Sequence, residues 1–307
     1  MVLDNLVYGH ASSVRWGPLE VGDLADPQRL AEVFSRYRPD AVMHFAAYAY
    51  VGESVEDPAK YYQNNVAGTL NLLAAMRESG AGQLVFSSTC ASYGHPQTDR
   101  IAESHPQVPI NPYGRSKLMM EQILADYSSA YGLRSISLRY FNAAGADADA
   151  EIGEDHDPET HLIPIILEAA AGRRPSVQVY GTDYDTPDGS CIRDYIHVTD
   201  LAAAHVTALA ALMQGHPTDV FNLGTGRGAS VREVIDRAAA ITGRRIPVVT
   251  GPRRPGDPAM LVADATRAGE ILDWAPHCSD LDTILASAWR WHQSRWADDD
   301  QASPVRP

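Results

Sequence analysis

The segment Asn111-Pro112-Tyr113-Gly114-Arg115-Ser116-Lys117 carries the spacing in this chain best suited to chemistry. Tyr113 and Lys117 stand four residues apart, so on a helix they project from one face, one turn apart. A phenol is a poor base at its ordinary pKa of about 10. A nearby ammonium stabilises the phenolate and lowers that value, so a tyrosine beside a lysine can take and return a hydroxyl proton near neutral pH. Twenty-four residues before Tyr113 stands Thr89, at the end of the run Val85-Phe86-Ser87-Ser88-Thr89. A hydroxyl there could bond a substrate oxygen and share its proton with Tyr113. By itself, Tyr-x-x-x-Lys equally describes a surface pair. Strand-end hydroxyls followed by an Asn-Pro-capped helix bearing that spacing form a much rarer combination.

Such side chains need a strand and a helix that meet. Strand-like and helix-like segments alternate along the chain, the signature of an α/β protein. Residues 26–38 read as a helix capped by Asp26. Residues 40–48 form the near-continuous apolar run of a buried parallel strand. A long helix over 58–80 closes at Gly80, and 83–89 is the next strand. Asn111 and Pro112 open a helix running to Tyr131, with Asn as cap and Pro in the first turn, and 134–142 is again a strand. Open sheets of this kind place ligands at the carboxyl ends of their strands.

The texture changes at 143–160, which is acidic and loop-like, and the main domain boundary falls there. Beyond it the pattern predicts helices at 162–171, after His197, and at 231–243, 264–272 and 279–294. Strands are expected at 176–180, 219–226 and 246–251. The expected organisation is a Rossmann-like doubly wound parallel sheet over 1–142 and a smaller α/β substrate domain over 143–297. Segments around 193–225 are expected to return to the first domain, and 298–307 to form a flexible tail.

Composition removes several function classes. A formal net charge of −14 argues against nucleic acid or an anionic membrane as partner. No apolar run approaches a membrane span, and no basic segment followed by an apolar one suggests a secretory leader. The three cysteines, Cys90, Cys191 and Cys278, show no metal spacing and suit a reducing cytoplasm. Residues 153–161, Gly-Glu-Asp-His-Asp-Pro-Glu-Thr-His, concentrate acids and imidazoles at a spacing that matches no common metal motif, so no metal is expected. Gly224-Thr225-Gly226 imitates a phosphate fingerprint but lacks its spacing and its distal acid, and reads as a tight strand–helix turn. The tryptophans in 289–296 read as helix core packing.

The constellation resembles the extended short-chain dehydrogenase/reductases. The segments HFAAYAYVGESVEDPAKYYQNNVAGTLNLL, FSSTCASYG, NPYGRSKLMMEQIL, LRYFNAAGA, GEDHDPETHLIP, VYGTDYDTPDGSCIRDYIHVTDLAAAHV, FNLGTGRG and RRPGDPAMLVADATRA, in that order, are similar to the UDP-galactose 4-epimerase (UDP-glucose 4-epimerase) family within that group. The resemblance implies NAD as cofactor, a UDP-sugar as substrate, and inversion at C4 through a transient 4-ketose. It assigns Tyr113 as the base on the sugar 4-hydroxyl and Thr89 as the hydroxyl bridging tyrosine and substrate. Lys117 is assigned to hold the nicotinamide ribose and lower the tyrosine pKa. Asp4, Asn5, Asp23, Leu24, Phe45, Ala46, Ala47, Asn64, Ser87 and Tyr140 match the cofactor side. Phe141, Asn142, His161, Leu162, Val179, Tyr180, Arg193, Arg254 and Asp257 match the substrate side. Arg193 and Arg254 match the diphosphate clamps, for which a guanidinium fork is suited, and Asp257 matches a uridine-ribose contact. A homodimer through the helices at 58–80 and 112–131 is also implied.

Two positions depart from the pattern. Ala49 stands where some members carry a lysine. Leu261 stands where others carry a bulky tyrosine or a small residue, which leaves acceptance of N-acetylated sugars open. A 4,6-dehydratase needs an acid pair beside the catalytic strand, and Cys90 and Ala91 stand there instead. A UDP-pentose or UDP-uronate 4-epimerase uses the same catalytic groups and remains an alternative. Asp4 matches the acid that anchors the adenosine ribose after a first strand, glycine-rich turn and helix. That unit, about 30 residues long, is expected to precede Asp4 in a complete member. A chain without its phosphate loop would be an impaired sugar-nucleotide-binding protein, the alternative of a different class.

Overall fold

In the computed structural model, which describes residues 1–254 and 256–302, the centre of the fold is β4 (Gln83–Thr89), buried from Leu84 onward. It pairs in parallel with β3 (Ala41–His44) on one side and β5 (Arg134–Tyr140) on the other. β5 pairs in turn with β10 (Asp219–Leu223), giving the parallel order β10-β5-β4-β3. The chain opens with β1 (Val2–Asp4) and β2 (Leu19–Val21), which form a separate parallel pair.

Helices cover both faces of the four-stranded sheet, as parallel sheets require. α1 (Pro27–Tyr37), α4 (Thr69–Ser79) and α5 (Pro112–Tyr131) pack Leu30, Leu73, Met76, Met120 and Leu124 against Leu84 and Phe86. α7 (Val198–Met213) and α9 (Thr266–Leu272) pack Ala204, Ala208 and Leu272 against Val85 and Leu138. Consecutive β4 residues thus feed opposite cores, the period-two alternation of a strand.

Local chemistry sets the helix starts. Asp26 accepts from Arg29 N, and Asn111 accepts from Gly114 N with Pro112 in the first turn. Gly114 lets the first turn of α5 lie against the segment after β4: a Cβ there would meet Ala91 O at 2.4 Å. That close approach brings Tyr113 beside Thr89.

Several elements are shorter or more divided than the sequence pattern predicts. The strand expected over 40–48 ends at His44, because the Asn65 side chain bonds Tyr48 N and O and holds an irregular segment. After it come α2 (Val51–Glu56), α3 (Pro58–Tyr61) and a wide π turn at Tyr62–Gly68. The single helix expected over 58–80 is therefore α3, that turn and α4. The strand expected over 134–142 breaks after Tyr140, where the partner β10 also ends. The chain resumes as β6 (Asn142–Ala144), paired with β9 (Tyr195–His197).

β10 stops at Leu223, short of Gly226, because Thr225 N and Gly226 N donate to the buried Asp194 carboxylate. The turn at 224–230 does not lead straight into a helix. β11 (Ala229–Ser230) intervenes, antiparallel to β8 (Ile192–Arg193), before α8 (Val231–Thr242) opens on the Ser230–Glu233 capping box. β8 also pairs with β13 (Met260–Leu261).

A second core gathers α6 (Leu162–Ala171), α8, α10 (Leu281–Ala302) and the parallel pair β7 (Val177–Tyr180) and β12 (Val248–Gly251). Trp289 and Trp296 pack on this core and Trp291 is buried, as the sequence pattern predicts. α10 continues through Ala302, past the expected start of a tail at Asp298, and residues 303–307 lie outside the described residues. α7 packs on the first sheet and β10 joins its edge. All three cysteines are free. No described helix is long and apolar enough to cross a membrane.

Candidate active site

Thr89 ends β4 and Tyr113 opens α5, and both line a cleft of about 1230 Å³ between the two cores. The Thr89 hydroxyl stands close enough to the Tyr113 phenol to favour its ionised form. It also accepts from Ala91 N at 3.1 Å, which fixes its rotamer. Burial nevertheless dominates and pushes Tyr113 above the ordinary phenol range, with Tyr140 adding to the rise. The pKa lowering expected from a neighbouring ammonium is therefore not what the protein's own groups produce.

Lys117 explains this. It is 3% exposed, and burial pulls its ammonium down to about 7 from the usual 10.5, opposed by Glu121. Its Nζ donates to Ser87 O at 2.7 Å and lies 4.9 Å from the Phe86 ring. A buried lysine poised near neutrality gains or loses its proton within the working pH range. Ser87 Oγ bonds the Tyr140 hydroxyl at 2.5 Å, which ties the ends of β4 and β5 together.

Two arginines also line the cleft. Arg193 on β8 pairs with Asp257 and donates to Ile192 O at 2.7 Å. The Arg254 guanidinium stacks over the Tyr180 ring at 4.0 Å. Phe141, Asn142, His161, Leu162 and Leu261 line the same cleft. Of the substrate-side residues named from sequence, Val179 is the exception: strand alternation turns its side chain into the second core, where it is 1% exposed. Arg193 and Asp257, expected as separate contacts, meet as an ion pair.

The cofactor-side residues gather elsewhere, at the carboxyl ends of β1 and β2. Asp4 Oδ1 accepts from Leu6 N at 2.7 Å, and Asn5 Nδ2 donates to Asp23 Oδ2 at 2.8 Å. A hollow of about 280 Å³ opens beside Asp4. Leu24 packs in the first core, and Asn64 donates to Asn65 Oδ1 at 2.9 Å. Phe45, Ala46 and Ala47 follow β3 as irregular chain, with Phe45 54% exposed. Carboxylate acceptors at strand ends suit ribose hydroxyls. Together with Lys117 and Tyr113 at the neighbouring strand ends, these residues fit a dinucleotide laid across the sheet edge.

Sequence reasoning missed three things. Glu121 and Arg139 form a buried ion pair behind Thr89, signalled only by Glu121 standing one further turn along α5. His44, also buried, bonds Thr69 Oγ1 at 2.8 Å, and burial and Lys117 push it down to about 3. The loop 153–161, whose linear spacing matches no ligand motif, gathers Glu154, His156, Glu159 and His161 with their polar atoms within 4.8 Å. Glu154, and then Glu159, raise His156 to about 10.

A histidine raised on folding contributes stability that is complete below about pH 6.5 and fades as pH rises towards its folded value. His156→Gln should therefore cost about 1–2 kcal/mol near pH 6, allowing for solvent screening of this partly exposed group. The deficit should shrink towards about pH 10 in urea unfolding. A deficit constant across that range would contradict the charge assignment.

Comparison with known proteins agrees with this geometry. Residues 1–224 match the model of the NAD dependent epimerase/dehydratase family. The chain is 53% identical over 295 residues to the UDP-glucose 4-epimerase of Rhizobium meliloti, covering 96% of this chain and 90% of that protein. It is 49% identical over 295 residues to the Lacticaseibacillus casei UDP-glucose 4-epimerase, covering 96% and 89%. The crystal structure of the Brucella ovis UDP-glucose 4-epimerase with NAD superposes with a TM-score of 0.92 at 56% identity, over 94% of this chain and 89% of that one. The Bifidobacterium longum enzyme with NAD+ and UDP gives 0.89 at 39% identity, over 95% and 90%. With a matching family model over most of its length and relatives about half identical to it, this chain belongs to the NAD-dependent epimerase/dehydratase family.

Proposed function

We propose that this chain inverts C4 of a UDP-hexose, interconverting UDP-galactose and UDP-glucose with NAD as resident cofactor. One observation carries the reading: a single cleft is lined by Thr89 and Tyr113 and also by Arg193 and Arg254. The two arginines suit a diphosphate, which leaves the attached sugar within the cleft towards the hydroxyl pair.

Tyr113 takes the proton from the sugar 4-hydroxyl, and Thr89 aligns that oxygen with the phenol. In its protonated form Lys117 favours ionisation of the phenol one helical turn away. Bound NAD supplies the hydride acceptor, and then the donor, at C4. Tyr113 returns its proton once the sugar presents its opposite face. The nucleotide stays clamped by Arg193 and Arg254 while the sugar turns. Asp4, Asn5 and Asp23 would hold the adenosine side of the cofactor, and Lys117 the nicotinamide ribose.

The domain division at residue 142 is supported by separate cores before and after it. A homodimer through α4 and α5 is supported by the exposure of Leu70, Met119 and Tyr131 there. A cytoplasmic setting is supported by three free cysteines.

The test is an assay of UDP-galactose conversion with NAD added, beside Arg193→Ala. The reading expects turnover in the parent chain and a KM raised about tenfold or more in the variant, since a lost charged hydrogen bond is worth about 1.5–3 kcal/mol. Binding of UDP-sugar without turnover would favour the impaired-binder alternative. Turnover of UDP-pentose or UDP-uronate in place of UDP-galactose would replace the hexose assignment.

A further inference from the structure

Tyr113, Lys117 and Glu121 recur at every fourth residue of α5, so they share one face. That face meets the end of β4. Lys117 Nζ donates to Ser87 O, the Ser88 hydroxyl donates to Glu121 Oε1, and Thr89 stands beside Tyr113. Glu121 also accepts from Arg139 Nε at 3.0 Å, Arg139 Nη2 at 2.5 Å and Gln107 Nε2 at 3.1 Å. Arg139 sits on β5 directly across from Ser88. Its Nη1 donates to the Tyr93 hydroxyl at 2.8 Å, which in turn donates to Asn222 Oδ1 on β10 at 2.6 Å.

The Glu121 and Arg139 side chains are 9% and 5% exposed. A buried ion pair is a poor means of stabilising a core, because desolvation offsets much of its attraction. Its placement suits another purpose. The groups that act on Lys117 are Glu121 from its own helix, His44 from β3, and Phe86 and Ser87 O from β4. Of these, Glu121 supplies the negative charge that favours the ammonium. His44 is held neutral by burial, and Arg139 is already committed to Glu121.

We propose that Glu121 is a positioning residue for the reaction, fixing the Thr89 strand end against the Tyr113 helix and holding Lys117 as its ammonium. The assignment of a reaction rests on the function proposed above; the effect on Lys117 does not.

Lys60 and Lys117 are the only two lysines in the sequence, which makes the test direct. In protein labelled with carbon-13 at lysine Cε, two resonances titrate, and Lys60 serves as internal control. Glu121→Gln should lower the Lys117 midpoint by about one pH unit or more, with no substrate or cofactor added. In turnover, kcat should fall about tenfold or more with KM within about threefold, and the alkaline limb of its pH profile should move down with the Lys117 midpoint.

If the lone Arg139 cation prevents folding, Glu121→Gln/Arg139→Gln removes both charges. The Lys117 midpoint should then still move down, by a smaller amount. A Lys117 midpoint within about 0.2 unit of the parent's, in whichever variant folds, would overturn the proposal. A parent that titrates as described but does not epimerise would overturn the proposed function and leave the charge coupling standing.

Discussion

Tyr113→Phe should lower kcat by about a thousandfold, within the range of roughly 10²–10⁴ that a positioned acid–base group contributes. In free energy that is about 4 kcal/mol of transition-state stabilisation. The substitution removes one oxygen and keeps the ring that fills the start of α5. Thr89 keeps its bond from Ala91 N, and Asn111 still caps the helix, so the scaffold has no reason to move. Binding should change little, because the proposed nucleotide contacts are Arg193 and Arg254, which the substitution leaves in place. The expected signature is a collapsed kcat, a KM within a few-fold, and unchanged UDP affinity by calorimetry. A loss smaller than about tenfold would mean that another group takes the proton.

Lys117→Met should cost about 10²–10³ in kcat by leaving the buried phenol without a cation. Its effect on stability runs the other way with pH. Burial pulls Lys117 down to about 7 from 10.5, so between those values the unfolded chain binds the extra proton. Stability of the parent therefore rises with pH across that window, and below about 7 the protein carries the full cost of a buried ammonium. Methionine removes the charge and keeps the volume, but leaves Ser87 O without its donor. The stability of Lys117→Met relative to the parent should be highest below about pH 7 and decline towards about 10.5. Urea unfolding of both proteins at several pH values measures this. A flat difference would show that Lys117 keeps an ordinary value. Retention of kcat within about tenfold would remove Lys117 from the mechanism.

Much of this site was legible in the sequence because its signals are local. The Tyr113–Lys117 spacing follows from helix geometry, and the Asn111-Pro112 start from capping chemistry. The end of β4, where Thr89 stands, was placed by its apolar run, and the strand matches its expected bounds. Elements went astray where tertiary partners end a strand, as Asp194 does for β10 and Asn65 does after β3.

The sequence by itself determined the α/β alternation and the helix that carries Tyr113 and Lys117 on one face. These depend on side-chain periodicity and on groups close together in the chain. Only the tertiary structure decided how those residues are charged. Tyr113 and Lys117 are both shifted by burial, and the carboxylate that opposes the shift on Lys117 is itself held by Arg139, from a neighbouring strand. Desolvation depends on everything packed around a group, and no spacing along a chain encodes it. The turning of Val179 into the core and the meeting of Arg193 with Asp257 have the same origin: each depends on which distant segments pack together.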